Sequence, residues 1–240
     1  MLLDPLKSVV LFSAPRFGST VVDKVIEHIL PNHEHLGEYL LITSEVDDAG
    51  KFIGHRQRPV TVNQSEWRKE LLRRLEKIKQ LDRPFTIKIF PESFFWTLEP
   101  LELMLDNQVI VLNRSNRYEA LLSLAIARSQ NIWHSSTVIE KHKIAFDIDS
   151  IAGPMLQSII AFDRIREKIK DRVLLNLEYE SFSHNFDELK DQFNKVLLKS
   201  EQILIDSFQP AFVKQNFNAE MSFSDIETIK KYRQKFEAFC

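Results

Sequence analysis

Four short apolar runs set the terms on which this chain can fold: Ser8–Ser13, Phe85–Phe90, Gln108–Asn113 and Arg172–Leu177. They are rich in β-branched residues and nearly continuous rather than alternating, the pattern of strands covered on both faces. Between them the apolar residues take helical spacing. Val21, Val22, Val25, Ile26 and Ile29 follow the first run, and Trp67, Leu71, Leu72, Leu75 and Ile78 precede the second. Leu98, Leu101, Leu103, Met104 and Leu105 precede the third, and Leu121, Leu122, Leu124, Ala125 and Ile126 follow it. Longer helices are expected over Gly153–Lys170, Phe186–Asp206 and Ser224–Phe239. Strands alternating with helices predict an α/β fold, a three-layer sandwich with a central parallel sheet and helices on both faces. The 240 residues suit one domain, 1–240. Two stretches lack periodicity, Asp47–Gln64 and His134–Ser150, and loops of that length in a compact domain are usually functional or mobile.

The charge balance narrows the partners. A net charge of −2 creates no global field to attract nucleic acid or an acidic membrane surface, so neither is expected as a partner. Any anion site has to come from a few locally placed cations. The one cysteine, Cys240, has no partner for an internal disulfide, which fits a cytoplasmic protein. Asp4 and Pro5 stand where a signal peptide needs an apolar core, and no run nears the roughly 20 apolar residues that span a bilayer.

In an open parallel sheet, ligands bind at the carboxyl ends of the strands. The first run leads into Ala14-Pro15-Arg16-Phe17-Gly18-Ser19-Thr20, the second carries Lys88 near its end, and the third leads to Arg114. Three cations at one sheet edge suit a polyanionic ligand. The first turn is also a strand–loop–helix unit whose helix start offers unpaired backbone N–H groups to phosphate or sulfate. Laid against G-x-x-x-x-G-K-[ST], Gly18 and Thr20 match, while Ser13 replaces the first glycine and Ser19 the lysine. The fold is therefore expected to be P-loop-like, with the charge supplied from inside the loop by Arg16. No strand run ends in the acid that would hold Mg²⁺ in an ordinary P-loop enzyme; Asp147 and Asp149 follow only a short apolar stretch.

Ser13–Thr20 resembles the 5′-phosphosulfate loop of sulfotransferases that use 3′-phosphoadenosine 5′-phosphosulfate (PAPS), whose usual form is P-[RK]-[ST]-G-[ST]-[ST]. Val109–Arg114, followed by Ala120-Leu121-Leu122-Ser123, resembles their 3′-phosphate motif, a strand-ending Arg with a Ser on the next helix. Ala127–His134 is similar to the bacterial trehalose-sulfotransferase type, and Tyr179-Glu180-Ser181-Phe182 resembles the family's Tyr-Glu-Asp-Leu. These pieces span Ser8 to Phe182 in the expected order. Two departures stand out: Phe17 replaces a small hydroxyl residue, and the Arg114-to-Ser123 interval is nine rather than the eight of many cytosolic members.

The resemblance implies roles. Arg16, Phe17, Gly18, Ser19 and Thr20 would hold the 5′-phosphosulfate, and Arg114 and Ser123 the 3′-phosphate. Lys214, in Val213-Lys214-Gln215-Asn216, would add a cofactor contact. Lys88 and Arg16 would neutralise the moving sulfuryl or departing phosphate oxygens without a metal, since a sulfuryl group carries less charge than a phosphoryl group. Glu38, in Leu36-Gly37-Glu38-Tyr39-Leu40, stands where trehalose-type enzymes carry their catalytic Glu and would be the general base. The co-product would be adenosine 3′,5′-bisphosphate, and the acceptor a carbohydrate or other small hydroxyl compound.

Other candidates are weaker. His28, His33, His35 and His55 offer alternative bases, and His134 a lining for the acceptor pocket. Asn32-His33-Glu34-His35 has i, i+2 spacing and no third ligand, so no metal residue is assigned. Arg68, Lys69, Arg73, Arg74 and Lys77 read as a solvated helix face. Two rival functions stay open: a P-loop small-molecule kinase, and a noncatalytic PAPS-binding module on the same fold.

Overall fold

The computed structural model describes residues 2–41, 44–46, 52–55, 64–95, 97–130, 148–209 and 234. The strands are β1 (Val9–Ser13), β2 (Glu34–His35), β3 (Ser44–Val46), β4 (Phe52–His55), β5 (Phe85–Ile89), β6 (Gln108–Asn113) and β7 (Val173–Glu178). The α-helices are α1 (Ser19–Ile29), α2 (Gln64–Lys79), α3 (Glu99–Asp106), α4 (Arg117–Gln130), α5 (Ile148–Ile169), α6 (Tyr179–Phe182), α7 (Phe186–Asn194) and α8 (Lys199–Ser207), and a 3₁₀ turn at Pro91–Phe94 follows β5.

Five strands form one sheet in the order β2-β5-β1-β6-β7, and every pairing is parallel. Parallel neighbours need crossovers, and right-handed crossovers decide the layers. The step from β1 to β2 runs one way along the sheet and carries α1. The steps that reach β5, β6 and β7 run the other way and carry α2 to α5, which places them on the opposite face. The contacts agree: α1 packs with α8, α2 with α3, and α4 with α5. This is the expected P-loop-like three-layer α/β sandwich. Its chain path reverses at β1, so the crevice for a ligand opens beside the carboxyl end of that strand.

The apolar runs read as doubly covered strands are so. β1 and β5 are buried at every position, and β6 at all but its last. β7 instead alternates, Leu175 and Leu177 inward and Asn176 and Glu178 outward, as suits an edge strand. The register slips beside Val109, where Leu174 is the extra residue on β7. Under the sheet's carboxyl end, Phe162 of α5 stacks on Phe12 at 4.9 Å and meets Phe17 edge-on at 5.4 Å. Burying each such ring contributes about 1.5–3 kcal/mol, and the cluster ties the loop after β1 to the core.

The expected elements need three adjustments. β2 is a fifth parallel strand of two residues, too short for any periodic signal; backbone bonds from Glu34 N–H to Pro84 O (2.9 Å) and from Leu36 N–H to Thr86 O (2.9 Å) dock it on β5. The helix expected over Phe186–Asp206 divides into α7 and α8, because Val196 and Leu197 leave the helical path to enter the core. In the stretch read as irregular, β4 forms a strand and pairs antiparallel with β3, which lies just before it. The helix expected over Ser224–Phe239 lies almost wholly outside the described residues, as does most of His134–Ser150. Among the described residues, no helix is long and apolar enough to cross a membrane.

Candidate active site

The loop between β1 and α1 is bent by two left-handed residues, Arg16 (φ 64°) and Gly18 (φ 89°). Glycine takes that conformation freely; arginine pays about 1–2 kcal/mol for it, so the loop's packing must hold Arg16 there. Phe17 does much of this holding. Its ring is fully buried against Phe162, its N–H donates to Ala14 O (3.3 Å), and the Arg117 guanidinium lies 4.7 Å over its face. Phe17 thus faces the core, not the open side of the loop. Gly18 caps α1 without a side-chain bond, and the start of the helix turns its N–H groups and the positive end of its dipole toward the loop, a setting that favours an anion. Ser19 is buried at the start of that helix, and Thr20 is half-buried beside it.

The two stretches compared with nucleotide-binding motifs meet in space. Arg16 Nε donates to Ser123 Oγ at 3.0 Å, although the residues lie 107 positions apart. Arg114, 6% exposed, donates from one terminal nitrogen to Arg16 O (2.8 Å) and from the other to Glu119 Oε2 (2.9 Å). Its guanidinium stacks on the Tyr179 ring at 4.4 Å. Among the described residues its buried Nε finds no hydrogen-bond acceptor, and Glu180 Oε1 lies 3.9 Å from it. A buried charged donor without an acceptor is what a site for a phosphate oxygen presents before the ligand arrives. Burial pulls the Arg16 guanidinium down from its ordinary pKa, and the neighbouring Arg114 charge pulls it further. An anion between the two would relieve that repulsion.

Lys88 reaches the same sheet edge from β5, where it pairs in register with Leu11 of β1. Its ammonium is 3% exposed and lies 3.0 Å from Glu38 Oε1 and 3.3 Å from Asp23 Oδ2. Burial alone lowers the lysine's pKa, but attraction to the two carboxylates outweighs it and the net shift is upward. Glu38 is held beside β5 by its backbone: Lys88 N–H donates to Gly37 O (2.8 Å), and Gly37 takes a left-handed φ of 56° to turn the chain. The Glu38 charge also acts on Arg16, raising its pKa against burial and Arg114.

Arg74, expected on a solvated face with Arg68, Lys69, Arg73 and Lys77, is buried instead. It is 1% exposed, and its NH1 donates to Tyr39 O (2.6 Å) and Leu41 O (3.2 Å), clamping the segment that carries Glu38. Its place in the apolar stripe with Leu71, Leu75 and Ile78 was the available signal. The alternative bases are committed elsewhere: His28 donates to Leu204 O (2.9 Å), His33 to Lys7 O (3.0 Å), and His35 bonds the Thr86 hydroxyl (2.7 Å). Burial also lowers the pKa of His35. Lys214 and His134 lie outside the described residues, and of His55 only the backbone in β4 is described.

Tyr179 and Glu180, quoted from sequence for their motif alone, were given no role in the site. The Tyr179 ring covers Gly18 so closely that a Cβ there would sit 2.5 Å from it. Glu180 accepts from the N–H groups of Ser115 (3.1 Å) and Asn116 (2.9 Å), fixing the turn after Arg114. The Tyr179–Phe182 motif therefore locks both nucleotide-motif turns together. One strand does end in an acid once β7 is extended by a residue. That acid, Glu178, is two strands from β1 and accepts from Asn113 Nδ2 (2.8 Å) and Ser115 Oγ (3.2 Å).

Scans against protein-family models find no match, and no curated protein sequence matches. A similar solved structure is mouse sulfotransferase SULT7A1 complexed with PAP, 12% identical, with a TM-score of 0.42. The match covers 86% of this chain but 65% of that chain, and it is too distant to bear on activity.

Proposed function

We propose that this chain is a PAPS-dependent sulfotransferase acting on a hydroxyl of a carbohydrate or other small acceptor. The observation that carries this reading is the meeting of Arg16, Ser123 and Arg114 in one cluster, through bonds of 3.0 and 2.8 Å, next to the buried Lys88–Glu38 pair. One set suits a nucleotide with anionic groups at both its 3′ and 5′ positions; the other suits a proton transfer beside a fixed cation.

PAPS supplies a sulfuryl group on a good phosphate leaving group. The chain's part is to hold it and move one proton. The N–H groups at the start of α1, with Arg16, Ser19 and Thr20, grip the 5′-phosphosulfate; Arg114 and Ser123 hold the 3′-phosphate. Glu38 takes the proton from the acceptor hydroxyl as its oxygen bonds to sulfur and the sulfur–phosphate oxygen bond breaks. Lys88 and Arg16 neutralise the oxygens on either side of that transfer, where fixed charges in a dry site act strongly. Lys214 remains a proposed cofactor contact. The reading needs no metal, because these cations already face the charge that develops.

The direct test is transfer from sulfur-labelled PAPS to a panel of sugars and small alcohols by the purified protein. Label should move to at least one acceptor, with adenosine 3′,5′-bisphosphate released in equal amount. PAPS binding without transfer to any acceptor points to a noncatalytic module, and turnover of ATP with Mg²⁺ to a kinase.

A further inference from the structure

Asp23 stands on α1 one turn beyond the anion loop, on the helix's buried face with Ser19, Val22 and Ile26. A carboxylate in that position must find compensation for its lost water. It finds it in Lys88, 3.3 Å away, on which Glu38 closes from the other side at 3.0 Å. One buried cation thus stands between two buried carboxylates. An ammonium has three N–H donors; among the described residues these contacts commit two, and a third can turn to an incoming anion. Were Glu38 the lone partner, the pair would close on itself. A buried ion pair repays its lost hydration only when further hydrogen bonds satisfy its remaining protons and lone pairs, and one closed on itself holds both the base and the cation out of the reaction.

We propose that Asp23 is a positioning residue, which from α1 holds the Lys88 ammonium so that the lysine serves the incoming anion instead of being captured by Glu38. For the reaction this rests on the sulfotransferase reading; for the charge geometry it does not. Burial raises the Asp23 carboxyl above the ordinary range, against the pull of Lys88, so the site holds this acid at a cost. The groups that surround the pair are Lys88 of β5, Arg16 of the loop, Glu92 of the 3₁₀ turn and His35 of β2, with Lys24 and Glu27 on α1 itself. Of these, Lys88 and His35 lose the upward pull of the Asp23 charge when it is replaced. Removing one negative charge beside Glu38 makes Glu38 easier to ionise, so its titration must move to lower pH.

The test is Asp23→Asn, which keeps the shape and removes the charge. We expect kcat for sulfuryl transfer to fall by about 10–100-fold, the scale of a misplaced catalytic group, with affinity for adenosine 3′,5′-bisphosphate within about twofold. The acid limb of kcat/KM should move to lower pH, and Asp23→Glu should restore part of the rate. In a Lys88→Met background Asp23→Asn should add little, since residues acting through one another are not additive. Carboxyl NMR of Glu38 in the free protein gives a readout that needs no turnover, and there too the titration should fall. An unmoved Glu38 titration, or a full Asp23→Asn effect persisting in Lys88→Met, overturns the proposal. Should Asp23→Asn fail to fold, Lys88→Met alone decides: both carboxyls must then titrate at higher pH than in the wild type. If the wild-type protein transfers no sulfuryl group, the sulfotransferase reading falls and the NMR titration still judges Asp23.

Discussion

Arg114 spends its guanidinium on several partners at once: a backbone carbonyl, the Glu119 carboxylate and the face of Tyr179. A 3′-phosphate must compete with Glu119, which is 56% exposed and free to swing away. Arg114→Ala should therefore weaken adenosine 3′,5′-bisphosphate by about 1.5–3 kcal/mol, the worth of a charge-assisted contact. Isothermal titration with adenosine 5′-phosphate as the control should show almost no loss; equal losses would make Arg114 a structural residue. At Glu38 the expected effect is on rate. Glu38→Gln keeps size and removes basicity, so turnover should fall by about 10²–10⁴-fold with the melting temperature nearly unchanged. Steady-state kinetics on an accepted substrate check this, and activity within a fewfold of wild type excludes Glu38 as the base. The cations Arg16, Lys88 and Arg114 were legible in sequence because each follows from where a strand ends. Asp23 and Arg74 were harder, since a charged residue on an apolar stripe reads equally well as a flaw in the stripe. Only the partner across the fold, Lys88 for one and the Tyr39 carbonyl for the other, shows that burial is intended.

The elements most exposed to a single change are the β1–α1 turn and the short helix α6 that covers it. Gly18 combines a φ of 89° with the Tyr179 ring at 2.5 Å from any added Cβ. Gly18→Ala must strain the backbone and push the ring aside, and with it the Arg114 stack. We expect a loss of stability of about 1–3 kcal/mol together with weaker nucleotide binding, both measurable by denaturant titration with and without ligand. A variant as stable as the wild type would mean that the ring moves freely. The strands and helices flanking this turn were legible because their apolar periods are unbroken. β2 was not, since two residues carry no period; nor was the break between α7 and α8, where Val196 and Leu197 continue the apolar pattern while the backbone leaves the helix.

For the whole molecule, a ligand that binds the folded state alone adds to its stability by mass action. PAPS and adenosine 3′,5′-bisphosphate should raise Tm in a thermal-shift assay, by about 2.7 kcal/mol of added stability at a hundredfold excess over Kd, whereas ATP with Mg²⁺ should raise it far less. Equal shifts would remove the case for a 3′-phosphate site. The contact that closes the loop, Tyr179 over Gly18, also has a bearing on how the chain reaches this state. It joins β1's loop to the short helix after β7, far along the chain, and the Arg16–Ser123 bond spans 107 positions. Contacts so distant in sequence are slow to form, because the chain between them must first surrender its freedom. β1 and its loop are synthesised early, yet the loop's glycine has no cover until β7 and α6 have docked. The anion cradle is therefore among the last parts of the protein to acquire its final shape during folding, and ligand capture reports that the entire sheet has been assembled.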